Sequence, residues 1–186
     1  MSETDEQIRW KKDFVLTWDH FKGIYKSQFK GDFNTGFKIS HDSGSEILET
    51  SSRTKFKFTD VNVMAVFLPK LSWVNREWLE HQDKEQLIGY VRGQFDLTED
   101  YARKVQTKME NEVMNRSFTC PKDSKSAQIV FVKKKMTEIF TKILNGVDSE
   151  YFAALRKYTQ ETNNGKNLEK QKEYDKFFVN LRKEVS

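Results

Sequence analysis

Residues 83–114, DKEQLIGYVRGQFDLTEDYARKVQTKMENEVM, form a long amphipathic stretch around which the rest of the chain can be ordered. Asp83 and Gln86 have the spacing of an N-cap and capping box, because each side chain can satisfy a backbone N–H of the first turn. The apolar positions that follow recur every three or four residues, which is the period of one helical face. They are Ile88, Val91, Phe95, Thr98, Ala102, Val105, Met109 and Val113. The spacing predicts a long central helix over 83–114.

The composition fits one globular domain with a core of useful size. The chain has 186 residues, of which 37% are hydrophobic, and it contains 15 Phe and 4 Trp. Charged residues make up 32%, but positive and negative side chains are interleaved, so the formal net charge is only +4. This pattern allows weak contact with nucleic acid or an anionic membrane surface and favours a solvated, lysine-rich surface.

Cysteine usage and the chain ends limit the class of protein further. The single cysteine, Cys120, excludes an intramolecular disulfide and a cysteine-based zinc cluster, and we expect it to be a small packed residue. No apolar run approaches the roughly 18 residues of a membrane span. The polar start MSETDEQIRWKKDF does not resemble a signal peptide, so the sequence as written predicts a cytoplasmic protein, or a secreted one if a signal has been removed. We expect a flexible N-terminus over 1–12 and a single domain over 13–186.

Strand-like alternation appears in several short segments before the central helix. Phe14, Leu16 and Trp18 predict a short strand, and a second begins at Phe37 and breaks at the Gly/Ser-rich HDSGSE. Segments 51–58 and 61–68 are expected to pair as a hairpin through Thr59 and Asp60. Together they predict a small, mainly antiparallel sheet.

Helical patterns return on both sides of the central helix. Residues 75–82 are expected to form a helical approach to it, and a second long helix is predicted over about 126–144. Gly146 is placed to end that helix, because glycine is the common residue just beyond a helix C-terminus. A final helix should close the chain, with apolar positions at Leu168, Tyr174, Phe177 or Phe178, and Leu181.

The central helix resembles a segment of a bacterial family of predicted secreted zinc-dependent proteases, domain of unknown function 922. The stretch GYVRGQFDLTEDYARK is similar to that family's His-Glu-x-Gly-His-Phe-Asp, followed by Glu-x-Tyr-Ala-Arg. Three further segments resemble it: LTWDHFKG from Leu16, Ser72-Trp73-Val74, and YTQETNNGKNLEKQKEY from Tyr158. The likeness implies an α+β, zincin-like fold, with a small antiparallel sheet packed on a long central helix and further C-terminal helices.

The residues that would perform the chemistry of the family are all replaced. The resemblance implies paired histidines at i and i+4 that hold zinc, with a glutamate between them as general base. Those positions are Tyr90, Val91 and Gln94 here, and Asn164 stands in place of the third histidine. The supporting frame is retained, at Gly93, Phe95, Asp96, Glu99, Tyr101, Ala102, Arg103 and Gly165.

These replacements predict a pseudoenzyme-like domain without metal or cofactor. Amide side chains are weak zinc ligands, and a phenol with a pKa near 10 would first have to lose its proton. Val91 cannot take a proton from water. Tyr90, Gln94 and Asn164 can instead hydrogen-bond to one another, either filling the old site or lining a pocket for a polar ligand or peptide.

Three functions remain open at this point. The leading expectation is a non-catalytic module that binds an unknown protein or peptide partner. The second is a hydrolase whose metal site has been rebuilt from residues such as His20, His81, Asp96 or Glu99. The third is a basic protein that binds nucleic acid through Lys133 to Lys135 and the lysine-rich C-terminus, which a short lysine run alone does not favour. The oligomeric state is not indicated by the sequence.

Overall fold

The computed structural model describes residues 7–49, 54–121 and 124–184, which combine helices with small antiparallel sheets. The helices are α1 (Arg76–Glu80), α2 (Lys84–Val113), α3 (Lys125–Glu161) and α4 (Leu168–Lys183). The strands are β1 (Ile8–Arg9), β2 (Phe33–Asn34), β3 (Phe37–Glu49), β4 (Thr54–Phe67), β5 (Trp73–Val74) and β6 (Phe118–Cys120). Short 3-10 turns lie at Trp18–His20 and Pro69–Leu71.

The larger sheet has four strands and the smaller has two. In the larger one, β4 lies between β1 and β3 and also pairs with β6. Ile8 is antiparallel to Phe67, and Thr54 is antiparallel to Cys120. The smaller sheet pairs β2 with β5. The mixed helical and antiparallel architecture expected from the sequence is confirmed at this level.

The contacts group the chain into two compact units, each with its own core. The first unit comprises the described residues of 1–39, 65–100 and 151–186, and the second comprises those of 40–64 and 101–150. Phe67, Phe95 and Tyr158 are fully buried in the first unit. Phe56, Met109 and Met136 are fully buried in the second. A single domain over 13–186 stays a prediction.

The central helix is confirmed almost to the residue, and its N-terminal cap only in part. Helix α2 begins at Lys84, where the Gln86 backbone N–H donates to the Asp83 carboxylate at 3.0 Å. The Gln86 side chain does not act within the cap: its amide donates to the Gly165 carbonyl at 2.7 Å. The predicted apolar face is buried, and Val91 and Val105 are fully inaccessible.

The N-terminal predictions need correction. The expected flexible segment covers 1–12, yet within its described part Ile8 and Arg9 form β1 and Trp10 is buried. Residues 1–6 lie outside the described part of the chain. The strand predicted from Phe14 is wrong. Leu16 and Trp18 are buried, but no strand forms here, and the chain turns at Trp18–His20, where the Thr17 N–H donates to His20 Nδ1 at 3.0 Å.

The predicted hairpin through Thr59 and Asp60 is wrong, because β4 runs through both residues as one strand. Burial alternates along β4 and shifts by one residue there, since Thr59 and Asp60 are both exposed, a shift typical of a β-bulge. The break predicted at HDSGSE is also wrong, because β3 continues through this segment as one strand. A Cβ at Gly44 would lie 2.6 Å from Thr59 Oγ1, so this glycine allows close packing rather than a break. Residues 50–53 are outside the described ranges.

Helix α3 extends well beyond the predicted end at Gly146. Gly146 is exposed inside a helix that continues to Glu161, and Val147 and Tyr151 extend the buried face past it. One interior glycine costs about 1 kcal/mol relative to alanine, less than this burial returns. Helices α1 and α4 confirm the other two helical predictions, with Asn75 and Asn167 as their N-caps. Within the described ranges, no helix combines the length and hydrophobicity needed to cross a bilayer.

Candidate functional site

Tyr90 and Gln94 lie one turn apart on α2 and bond directly to each other in the first unit. The Gln94 side-chain amide donates to the Tyr90 hydroxyl at 2.9 Å. The same hydroxyl is 2.8 Å from Thr159 Oγ1 on α3, and the Thr35 hydroxyl donates to Gln94 Oε1 at 3.3 Å. Tyr90 is 2% exposed and Gln94 8%. We call Tyr90, Gln94, Thr159 and Thr35 the polar cluster.

A second tyrosine covers the polar cluster. The rings of Tyr158 and Tyr90 are stacked, with centroids 5.2 Å apart and planes 12° from parallel. The Tyr158 hydroxyl lies 3.0 Å from the Tyr90 carbonyl on α2 and 3.1 Å from Gln171 Oε1 on α4, so its single hydrogen is shared between these two acceptors. Sequence reasoning missed this role, although Tyr158 and Gln171 both belong to the C-terminal segment that carries the resemblance.

Asn164 does not join this cluster. It is exposed in a tight turn in which Asn163, Asn164 and Gly165 all have positive φ, of 49°, 54° and 86°. Its backbone N–H donates to the Thr159 carbonyl at 3.0 Å, which holds the turn in place. Thr159 therefore occupies the place in the network that was expected for the Asn164 amide.

Two glycines of the retained frame are required by close packing at the cluster. A Cβ at Gly93 would lie 2.7 Å from Tyr158 Cζ and 2.9 Å from the Phe178 ring. A Cβ at Gly165 would lie 2.6 Å from that of Tyr90, and its φ of 86° already disfavours any other residue. Val91 is fully buried and faces the core. The frame around the replaced positions thus has a packing role.

The polar cluster is electrically neutral. Burial raises the pKa of the Tyr90 phenol above its ordinary value, against the opposing effect of its bonds to Thr159 and Gln94. Burial raises the pKa of Tyr158 in the same way. Both phenols therefore keep their protons at neutral pH. The cluster can donate and accept hydrogen bonds, but it offers neither a general base nor an anionic metal ligand.

Asp96, a buried charged residue of the frame, forms a separate cluster. Its carboxylate accepts from the Trp10 indole at 2.7 Å and is 2.7 Å from the Arg182 guanidinium on α4. Burial raises the pKa of Asp96, and the bonds from Trp10 and Arg182 oppose that shift. Arg182 also donates to the Lys12 carbonyl at 2.7 Å. The ion pair joins α2 to α4, and the bonds of Asp96 to Trp10 and of Arg182 to Lys12 attach the N-terminal segment to both helices.

The remaining frame residues are also engaged in the fold. The Glu99 carboxylate accepts from the Ala65 backbone N–H at 3.1 Å. Phe95 stacks on Phe37 with centroids 5.1 Å apart. In the second unit, the Lys104 ammonium lies 3.7 Å from the centre of the Tyr101 ring, and Arg103 is half-buried. None of these positions points to a reacting group.

The residues considered for a rebuilt metal site are not brought together. His20 bonds to Thr17, His81 is exposed, and Asp96 and Glu99 have the separate partners given above. Across residues 7–49, 54–121 and 124–184, no three His, Cys, Asp or Glu side chains are placed to hold one metal ion. Cys120 is buried, as expected. Of the lysine triplet, Lys133 and Lys134 are exposed, and Lys135 lies 3.6 Å from Glu138.

A small cleft lies beside the polar cluster, where α2 begins. Its volume is about 260 Å³, and its apolar wall is formed by Phe33, Trp78 and Leu87. The Phe33 and Trp78 rings are stacked, with centroids 6.0 Å apart. The polar part of the lining comprises Gln82, Asp83, Gln86, Asn164 and Lys166. We call this the aromatic cleft.

Trp73 and Trp78 have different surroundings. The Trp73 ring packs on Phe29 and Tyr25, with ring centroids 4.9 and 5.4 Å apart. Trp78 is half-exposed and lines the aromatic cleft. No local pattern distinguishes the two tryptophans, because the cleft is formed by segments far apart in the chain.

Comparison with known proteins identifies no relative of this chain. Neither the protein-family models, nor the curated proteins, nor the solved structures include a significant match to this chain.

Proposed function

We propose that this chain is a non-catalytic binding module on a zincin-like scaffold, in which the polar cluster takes the place of a metal site. The observation that carries the proposal is the 2.9 Å bond between Gln94 and Tyr90. These are the two positions at which the resembling family has its paired histidines. To accept a metal ion, the pair would have to break this bond and the bond to Thr159.

The chemistry of the cluster supports the same conclusion. A phenol whose pKa is raised by burial is a poorer zinc ligand than an ordinary tyrosine, because its proton must leave before the oxygen binds. The position of the general base is held by Val91, which is apolar and fully buried. Hydrogen bonding therefore replaces the metal ligands, and an apolar side chain replaces the base, that hydrolysis would require.

The aromatic cleft is the surface that we propose for partner binding. Its volume of about 260 Å³ is slightly below the range of small-molecule pockets, which begins near 300 Å³, and suits one large apolar side chain of a peptide. The stacked Phe33 and Trp78 rings would contact that side chain. The amides of Gln82 and Asn164 can bond to peptide backbone groups at the rim.

The proposal is tested by selecting peptides that bind the purified protein from a displayed random library, then measuring their affinities. We expect the selected peptides to share an aromatic or aliphatic residue and to bind at least about tenfold more weakly to Trp78→Ala, as for an aromatic hot spot. The matched control is Trp73→Ala, which truncates another half-buried tryptophan outside the cleft. Equal losses in both variants, or none in either, would reject the cleft as the binding surface.

Hydrolysis is tested separately, on a pool of quenched fluorescent peptides with added zinc. We expect no cleavage above that of Tyr90→Phe, a variant that lacks the phenol oxygen. Cleavage that requires both zinc and Tyr90 would show that the replaced positions still act in catalysis, and the proposal would then be wrong.

A further inference from the structure

The second unit contains a larger groove that the proposed function does not use. Its volume is about 690 Å³, and its walls come from the C-terminal half of α2, from α3 and from β6. The apolar floor consists of Phe118, Ile139 and Ile143. The rim carries Lys108, Asn111, Glu112, Lys135, Glu138 and Lys142. We call this the lysine groove.

The charges on the rim are unequally engaged. Glu112 accepts from Arg116 at 3.1 Å, and Glu138 is 3.6 Å from Lys135. Both glutamates therefore have a cationic neighbour. Lys108 and Lys142 are exposed and have no ion-pair or hydrogen-bond partner among the residues described in the structure. The groove thus has an apolar floor and two unpaired positive charges at its rim.

Gly146 lines the groove without a side chain, so the groove is open at this point of α3. It is exposed, and a Cβ at this position would meet no atom within 4 Å. Neither packing nor a positive φ requires glycine here, and glycine weakens a helix. Ile139, Ile143 and Gly146 follow one another along one face of α3 at spacings of four and three residues. They form a strip along which another chain can approach the helix closely.

We propose that the lysine groove binds an acidic amphipathic segment of a partner protein. An amphipathic helix buries its apolar face in such a groove, where Phe118, Ile139 and Ile143 would receive it. Glutamates or aspartates beside that face would pair with Lys108 and Lys142 and fix its orientation. This inference does not depend on the aromatic cleft or on the polar cluster, since it uses other residues in the other unit.

Lys108 and Lys142 fit a nucleic-acid ligand less well than an acidic peptide. Phosphate contacts require cations and gain nothing from an apolar floor, whereas the apolar face of a peptide helix does. Lys133 and Lys134, the exposed members of the lysine triplet, do not line the groove. The composition of the groove therefore favours an acidic peptide over DNA or RNA.

The test uses the full chain and a fluorescent designed peptide with leucine on one helical face and glutamate on the other. We expect saturable binding that weakens as salt is added. A peptide of the same composition with its leucines scrambled, one with lysine in place of glutamate, and a single-stranded DNA oligonucleotide should each bind at least about tenfold more weakly. Absence of binding by the designed peptide, or tighter binding by the DNA, would overturn the proposal.

Charge-reversal variants distinguish the effect of the groove lysines on binding from the effect of the protein's net charge. Lys108→Glu with Lys142→Glu should weaken binding of the peptide by about tenfold or more, because two ion pairs become two repulsions. The matched control is Lys133→Glu with Lys134→Glu, which changes the net charge by the same amount at exposed sites outside the groove. An equal effect of the two double variants would mean that only the net charge matters, and the groove would be rejected.

A third variant blocks the groove without disturbing the fold. Gly146→Leu fills open space and replaces a weak helix former by a strong one, so the variant should fold at least as stably as the parent. We expect it to weaken peptide binding about tenfold, whereas Asn145→Leu, at the neighbouring exposed position outside the groove lining, should not. Undiminished binding to Gly146→Leu would contradict the proposed site.

Discussion

The Tyr90 hydroxyl connects two distant segments of the chain through one oxygen atom. It is bonded to Gln94 on its own helix and to Thr159 on α3, and its ring is stacked on Tyr158. Because Tyr90 and Gln94 are both buried, the bond between them cannot be exchanged for a bond to water without opening the core. We infer that this residue stabilises the polar cluster in the way that a metal ion would stabilise a zinc site.

Tyr90→Phe should lower the free energy of unfolding by about 1–2 kcal/mol, because the buried Gln94 amide and the Thr159 hydroxyl lose a partner. Urea denaturation of both proteins measures this difference. Tyr25→Phe is the matched control. Among the described residues, Tyr25 has ring contacts with Phe29 and Trp73 and no hydrogen-bond partner, so the stability of this variant should change by less than about 0.5 kcal/mol. Equal values for the two variants would show that the cluster contributes nothing.

Arg182→Leu should destabilise the protein by about 3 kcal/mol near neutral pH, because it leaves the buried Asp96 carboxylate without its cation. The pKa of Asp96 is already raised by burial and should rise further in the variant. An acid with a raised folded pKa regains stability as pH falls below that pKa and loses it as pH rises through it. The deficit should therefore shrink in mildly acidic solution.

Urea denaturation near neutral pH and in mildly acidic solution measures this deficit. The cost of Arg182→Leu would be measured both in the parent protein and in the Asp96→Asn variant. Once Asp96 is replaced by a neutral amide, Arg182→Leu should cost less, and its cost should no longer vary with pH. If Arg182→Leu costs the same stability at both pH values in the protein that retains Asp96, the lost ion pair is not the cause of the destabilisation.

At the residue scale, sequence reasoning predicted the contact between Tyr90 and Gln94 because it is local to one helix. The contact with Thr159 joins residues that are 69 positions apart, so no spacing rule could find it. Asn164 was expected in the cluster from the resemblance alone. The positive φ at Asn163, Asn164 and Gly165 instead presents its side chain at the exposed turn.

Two glycines one turn apart on α2 should respond oppositely to alanine. A Cβ at Gly89 meets nothing within 4 Å, so Gly89→Ala should stabilise the protein by up to about 1 kcal/mol through helix propensity. Gly93→Ala places a methyl group against Tyr158 and Phe178 and should destabilise by about 2 kcal/mol or more. Thermal or urea unfolding measures both, and each variant is the control for the other. A stabilising Gly93→Ala would contradict the packing described here.

At the scale of elements, helices with both a cap and an apolar stripe were predictable. α2 is such a helix, and its observed start at Lys84 follows from Asp83. Errors occurred where a turn-forming residue was taken as a stop. Gly44 and Gly146 lie inside a strand and a helix because neighbouring buried positions continue the element past them. Local turn preferences are small compared with that burial, and only the tertiary structure shows which one wins.

At the scale of the molecule, the sequence predicted the mixed helical and antiparallel class but neither candidate surface. The aromatic cleft joins Phe33, Trp78 and Asn164, which are far apart in the sequence. The lysine groove joins Lys108, Phe118 and Ile139, which come from three separate elements. Both surfaces are formed by tertiary packing of distant segments, which cannot be predicted from the composition or from the spacing of residues within one segment.

Our central proposal, that hydrogen bonds take the place of a metal ion on a zincin-like scaffold, concerns the whole molecule. The zinc content of the protein tests it most directly. Protein purified without chelator would be exposed to a slight excess of zinc, desalted and analysed for bound metal. We expect less than about a tenth of an equivalent of zinc per chain, because phenol and amide groups hold zinc poorly. Near one equivalent, lost in Tyr90→Phe or in a Gln94 variant, would show that these positions still bind metal and would contradict the account.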